Sequence, residues 1–252
     1  MSTGLTPEQI DSYNQAGYIQ IPDLLSPQEI DTFLDHEAKP KSPEVRELGL
    51  RKHTADDHWN RLASHPRIVS VVNQLLNGAP RIVQTMYMAK QPEGGTGIAL
   101  HQDAHYIRNE PNTLMACWIA LSDTDRDNGG LCVAEGSHLE PLRSTKKPED
   151  ESEHASWVTD YPMKGPDGKS WVETMHAHEI EDITPEELTF LAVAQGSGVF
   201  FTGRTIHGSY SNRSSDRLRL AFAMHYVKEG TWVYRCDIQE TTPVTDTAGD
   251  LP

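Results

Sequence analysis

Apolar residues follow two regimes along this chain. Up to about residue 80 they recur at helical spacing behind polar start signals, and from Arg81 onward they come in short runs bounded by Gly, Asn, Asp and Pro. Thr6 before Pro7-Glu8-Gln9 is an N-cap with Pro at the first helical position and Gln three residues on, which predicts a helix to about Ala16 closed by Gly17. Tyr18, Ile19 and Ile21 before Pro22 predict a short strand, and Ser26-Pro27-Gln28-Glu29 repeats the start signal for a helix to about Ala38. Ile68, Val69, Val72, Leu75 and Leu76 predict a third helix over 65–76, ended at Asn77-Gly78 by left-handed backbone. Beyond it, IVQTMYMA, IALHQDAHYI, LMACWIAL, GLCVAE, GVFFTG, IHGSYS, LRLAFAMHYV and TWVYRCDI read as strands. Short strands with turn signals between them predict a mainly β fold with flanking helices, a barrel or two-sheet jelly roll. The expected organisation is one domain over 1–252, helical in 1–80 and sheet in 81–236.

Composition changes this picture in one place. The stretch 147–187 carries twelve Asp and Glu against three Lys, so it holds nine of the fifteen net negative charges. It reads either as a solvated insertion with a short helix near Pro185-Glu186-Glu187 or as a lid over a site. A net charge of −15 excludes a basic nucleic-acid footprint. Cys117, Cys132 and Cys236 are too few and too scattered for a disulfide framework or a thiolate zinc site, which points to a reducing setting. The N-terminus lacks the pattern of a signal peptide and no window is apolar enough to span a membrane, so the expected location is cytoplasmic and off the membrane.

Candidate chemistry starts at His101-Gln102-Asp103. Read as strand, it places His101 and Asp103 on one face, where an imidazole and a carboxylate can occupy adjacent positions around a metal. A second imidazole from a distant strand would complete the two-His, one-carboxylate face of non-haem Fe(II) oxygenases, and His207 is the best placed. Arg219 follows twelve residues later, and alternation groups it with Ala221, Ala223 and His225, opposite Leu218, Leu220, Phe222, Met224 and Tyr226. A guanidinium on a wall of small residues leaves room for a carboxylate to dock. The alternative is an exposed edge-strand Arg.

With these residues in view, the chain closely resembles the phytanoyl-CoA dioxygenase family of Fe(II)- and 2-oxoglutarate-dependent oxygenases. The resemblance is carried by LTPEQIDSYNQAGYIQIPDLLSPQEID, QTMYMAKQPEGGTGIALHQDAHY, ACWIALSDTDRDNGGLCVAEGSH and IHGSYSNRSSDRLRLAFAMHY, in that order. It implies a double-stranded β-helix, a cupin-like jelly roll. It also implies iron held by His101, Asp103 and His207, and the distal carboxylate of 2-oxoglutarate held by Arg219 and Ser209, with Arg217 the competing arginine. Trp118 and Met86 sit where the family lines its cosubstrate, and are equally plain core. Gln84 and Gln102 are candidate hydrogen-bond donors near the site, and Lys52 is a candidate basic residue reaching the cosubstrate. The implied chemistry couples oxidative decarboxylation of 2-oxoglutarate by O2, with ascorbate as a possible reductant, to hydroxylation of an unactivated C–H bond. Related halogenases carry a small residue at the Asp103 position, which argues against a halogenase.

The remaining histidines divide by context. His105 has the parity of His101 and faces either the substrate or the rim, His138 orders a turn, and His176 and His178 form a solvated pair. Asn128-Gly129-Gly130 reads as a hairpin turn. The substrate pocket is expected from the loop after the first helices, Tyr106 to Asn112 and the insertion. The substrate class is a small molecule, since an acidic chain suits CoA phosphates poorly. Two rival readings keep the same ligands: a non-catalytic metal-containing jelly-roll binding protein and a zinc-dependent hydrolase. Neither needs Arg219 with Ser209.

Overall fold

The computed structural model describes residues 4–38, 50–147, 157–180 and 182–245. Four helices form as their sequence signals dictate, with one addition. In α1 (Pro7–Ala16) the Thr6 hydroxyl accepts from the Gln9 amide while the Gln9 side chain accepts from the Thr6 amide, and Gly17 closes the helix at φ 81°. Ser26 and Glu29 make the same reciprocal bonds at the start of α2 (Pro27–Ala38). The addition is α3 (Asp57–Ala63), a short helix whose N-cap Asp56 accepts from the His58 and Trp59 amides. The last, α4 (Pro66–Leu76), ends where Asn77 turns left-handed at φ 48°.

The strands are β1 (Tyr18–Ile21), β2 (Pro80–Lys90), β3 (Ile98–His101), β4 (Met115–Ala120), β5 (Leu131–Ala134), β6 (Val158–Lys164), β7 (Ser170–His176), β8 (Leu188–Phe190), β9 (Gly198–Thr202), β10 (Ile206–Ser209), β11 (Arg219–Lys228) and β12 (Thr242–Pro243). They build a major sheet ordered β1-β9-β4-β11-β2-β12 and a minor sheet ordered β8-β5-β10-β3, antiparallel throughout. This is the double-stranded β-helix. The major sheet takes edge strands from both ends of the chain, beyond the 81–236 span read from the sequence.

Alternation on β11 sorts the two faces as its pattern predicts. Phe222, Met224 and Tyr226 point outward into a cluster with α2, α3 and α4, in which Phe33 and Trp59 meet Phe222 edge-on at 5.1 and 5.0 Å. Such ring pairs add about 1 kcal/mol each beyond the area they bury. Ala221 and Ala223 point inward, into a second cluster between the sheets with Trp118, Val133, Val199 and Phe201. Fixing the outer face by helix packing thus holds Arg219 and His225 inward.

Three local expectations are corrected. The strand through His101 stops there, and Asp103–His105 form a 3-10 turn. Of TWVYRCDI only Trp232–Val233 form a strand, pairing with Asn109–Glu110, and Arg235 then makes a single bridge to Met163 while its side chain turns back onto Asp237. Asn128-Gly129-Gly130 links β4 and β5, which lie in different sheets, so it is no hairpin. Asn128 closes that loop by accepting from the Asp125 amide and donating to the Asp123 carbonyl.

Candidate metal centre

The minor sheet brings two imidazoles face to face. His101 on β3 stands directly opposite His207 on β10, with ring centroids 4.3 Å apart. Gly208 permits this approach, since a Cβ there would lie 2.8 Å from the Ile98 carbonyl oxygen. Asp103 joins them although the strand has ended, because Gln102 is still extended at φ −120°, ψ 125° and preserves the alternation for one more residue. The carboxylate Oδ1 is 3.5 Å from His101 Nε2 and 3.8 Å from His207 Nε2. All three ligand atoms lie within 4.8 Å of one another and their residues are buried or nearly so.

Hydrogen bonds orient this trio for a cation. The His101 Nδ1–H donates to the Ala99 carbonyl at 2.8 Å and the His207 Nδ1–H to the Thr205 carbonyl at 3.0 Å, so each ring turns an Nε2 lone pair toward Asp103. Burial lowers His207 to about 4, which keeps it neutral and available. Burial alone would raise the Asp103 carboxyl, but His225, His207 and His101 hold it well below the usual carboxylate range. Two neutral nitrogens and one carboxylate converging in a buried space fit a divalent transition metal with positions left open.

Behind Asp103 lies a relay that the sequence pattern did not single out. Gln84 Nε2 donates to His225 Nδ1 at 3.3 Å, and the His225 Nε2–H donates to Asp103 Oδ2 at 3.1 Å. Gln84 therefore supports the carboxylate through His225 rather than facing a cosubstrate. Its signal was present in the register, where Gln84 stands opposite His225. Replacing His225 by Phe, which keeps the volume, should lower metal affinity by about 10–100-fold, and Gln84→Leu by less. Anaerobic Fe(II) or Co(II) titration reads both; equal affinity in His225→Phe would refute the relay.

Arg219 starts β11 on the inner face, only 1% exposed. Its Nε and Nη1 have no hydrogen-bond partner among the described residues, its Cζ is 5.9 Å from the Trp118 ring, and burial lowers it to about 10. An unpaired buried guanidinium is costly, so the donor set fits an incoming carboxylate. Ser209 is buried near this end of the barrel and accepts at Oγ from Lys90 Nζ at 2.8 Å. Met86 stands opposite Ala223, beside Trp118, in the inter-sheet cluster. Arg217 is excluded as the reader, because Asp125 takes its Nη1 and Nη2 at 2.6 and 3.1 Å.

Two candidates lie elsewhere. Gln102 faces the loops: its Nε2 donates to the Arg204 carbonyl at 2.6 Å and its Oε1 accepts from the Arg143 amide at 2.9 Å, so both polar atoms are engaged in tying loops together. Lys52 bonds Glu37 at 3.0 Å on the helix-covered face of the major sheet, 4.8 Å from the Trp59 ring. His105 loses its predicted parity in the 3-10 turn and bonds the Arg143 carbonyl. His138 bonds the Asn14 carbonyl on α1, outside its own turn.

The insertion is structured where it is described; its residues 148–156 and 181, and the 39–49 segment expected to line the pocket, lie outside the described residues. β6 and β7 form a seven-pair hairpin whose Met163 and Met175 are buried, while Arg235 stacks on Tyr161 at 3.9 Å. Pro185–Glu187 is a single 3-10 turn. His178 is not solvated: its ring lies 4.7 Å from Tyr106, which is 5.5 Å from His101, and Trp157 adds a ring at 5.6 Å from Tyr106. The Tyr106 hydroxyl accepts from the His178 amide at 2.7 Å. The segment thus reaches over the approach to His101.

Burial lowers His178 to about 4, helped by His105, and lowers His53 to about 4, helped by Arg51. The unfolded chain, with His near 6.5, binds these protons between about pH 6.5 and 4 while the folded chain does not, so stability is lost as pH falls through that window. Melting of the metal-free protein should drop by about 5 °C across it, and less in His53→Gln. A flat profile would contradict the burial of these rings.

Comparison with known proteins gives the family and the fold. A family model described as phytanoyl-CoA dioxygenase (PhyH) matches residues 13–221. The chain is 26% identical over 198 residues to phytanoyl-CoA dioxygenase domain-containing protein 1 of Mus musculus, covering 77% of this chain and 61% of that protein. It is 28% identical over 250 residues to the peroxisomal phytanoyl-CoA dioxygenase of Rattus norvegicus, covering 88% and 68%. It therefore spans about three-fifths to two-thirds of these relatives' length. The fold is shared with the epimerase SnoN solved with Fe3+, alpha ketoglutarate and nogalamycin RO, at a TM-score of 0.67, 19% identity and 95% coverage of both chains. With its family model spanning most of the chain, this protein belongs to the phytanoyl-CoA dioxygenase family of Fe(II)/2-oxoglutarate-dependent oxygenases.

Proposed function

We propose that this chain is an Fe(II)- and 2-oxoglutarate-dependent dioxygenase that hydroxylates an unactivated C–H bond of a small molecule, releasing succinate and CO2. One observation carries the reading: His101, Asp103 and His207 converge within 4.8 Å in the same barrel as a buried Arg219 whose Nε and Nη1 lack partners. Iron there, with 2-oxoglutarate and O2, would supply the oxidising power for C–H chemistry. The chain's own residues do the rest. His101 and His207 present Nε2 lone pairs because their Nδ1–H groups are committed to backbone carbonyls. Asp103 contributes the one anionic ligand, aimed by His225. Arg219 and Ser209 grip the distal carboxylate, against a wall formed by Trp118, Met86, Ala221 and Ala223. Tyr106, Trp157 and His178 screen the approach to His101 from water.

A small molecule is favoured over an acyl-CoA by the net charge of −15, which opposes a polyphosphate ligand. Free Cys117, Cys132 and Cys236 suit a cytoplasmic setting. A zinc hydrolase or a binding protein has no use for a buried, unpaired guanidinium. The test is succinate release by anaerobically purified protein given Fe(II), ascorbate, O2 and 2-oxoglutarate, followed by a mass-spectrometric screen for substrates gaining one oxygen. Tight zinc with no 2-oxoglutarate binding would overturn the reading in favour of a hydrolase.

A further inference from the structure

Arg219 is not the only buried cation at its end of the barrel. Lys90 closes β2 directly opposite Arg219 on β11 and is 5% exposed. Its Nζ donates to Ser209 Oγ at 2.8 Å and to the Tyr210 carbonyl. Glycines make room for it: a Cβ on Gly95 would lie 2.6 Å from Lys90 Cβ, and one on Gly129 3.0 Å from Lys90 Cδ. The ionisable groups facing Lys90 are Arg219 from β11 and the Cys132 thiol from β5, with the Tyr210 phenol bonded to that thiol. No carboxylate pairs with either cation among the described residues. Two like charges buried side by side without an anion are unfavourable. Burial first and Arg219 second push the Lys90 ammonium down to about 6.

We infer that Lys90 is a third donor, with Arg219 and Ser209, for the distal carboxylate of the cosubstrate. This rests on the 2-oxoglutarate reading above and deepens it. An arriving carboxylate cancels the repulsion from Arg219, so the neutral amine takes one proton from the buffer and becomes the ammonium of an ion pair. Affinity for 2-oxoglutarate then falls as pH rises above about 6, by up to about tenfold per pH unit, until the bound ammonium itself titrates.

The experiment is calorimetry on the anaerobic Fe(II)-loaded protein, with 2-oxoglutarate and with pyruvate, in two buffers of different ionisation enthalpy. Pyruvate offers the same keto-acid end and lacks the distal carboxylate. K90M should weaken 2-oxoglutarate by about 10–30-fold while leaving pyruvate within about twofold, and should abolish the buffer-dependent proton uptake. K90R should recover part of the affinity without the uptake. A purely structural lysine would leave 2-oxoglutarate unchanged or weaken both ligands together, and either result overturns the inference. If K90M does not accumulate folded protein, K90Q carries the same comparison. Wild-type protein that binds neither ligand with Fe(II) would defeat the 2-oxoglutarate reading itself, a result distinct from a failure at Lys90 alone.

Discussion

Asp103→Ala is expected to abolish metal binding and succinate release together. Asp103 is the only anionic member of the trio, and its removal leaves two neutral imidazoles to hold a dication. It also strands the His225 Nε2–H, whose acceptor is Asp103 Oδ2 at 3.1 Å. Loss of a residue that merely orients a ligand costs about 10–100-fold in metal affinity, so loss of the ligand itself should exceed about 100-fold. Fe(II) titration and succinate measured on the same preparation decide the matter. A variant that still binds Fe(II) tightly and releases succinate would remove this trio as the centre.

Arg219→Met should push binding and stability in opposite directions. The guanidinium is buried with Nε and Nη1 unpartnered, and its replacement by an apolar chain relieves that cost. The denaturation midpoint of the metal-free protein should therefore hold or rise. Affinity for 2-oxoglutarate should fall by about 10–100-fold, the worth of about 1.5–3 kcal/mol for hydrogen bonds to a charged group. Equal affinity in the variant would show that the carboxylate docks elsewhere. A fall in both quantities would instead make Arg219 a structural residue.

What was legible in the sequence is what local rules dictate. Thr6, Ser26 and Asn77 marked helix ends because their bonds are made within a turn of themselves. The two faces of β11 were legible because alternation in an extended strand is strict, and it separated Arg219 and His225 from Phe222 and Tyr226. What failed depended on distant partners. Lys90 is an ordinary strand-end lysine until its neighbour across the sheet is known to be Arg219. Gln102 was misplaced because its bonds go to Arg204 and Arg143, far along the chain. The β6–β7 hairpin was hidden by the acidity of the 147–187 stretch around it and by Pro162, although Gly165-Pro166-Asp167-Gly168 is a strong turn signal. His178 looked solvated because nothing nearby in sequence announces its contact with Tyr106.

The pairing of His101 with His207 carries one more lesson, about length. Side chains on a strand swap sides with every residue, so gaining or losing a single codon between Ala99 and His101, or between Thr205 and His207, turns an imidazole toward the opposite side of its sheet. The connecting loops can lengthen without moving either ring, whereas these two short tracts cannot change length without taking the centre apart.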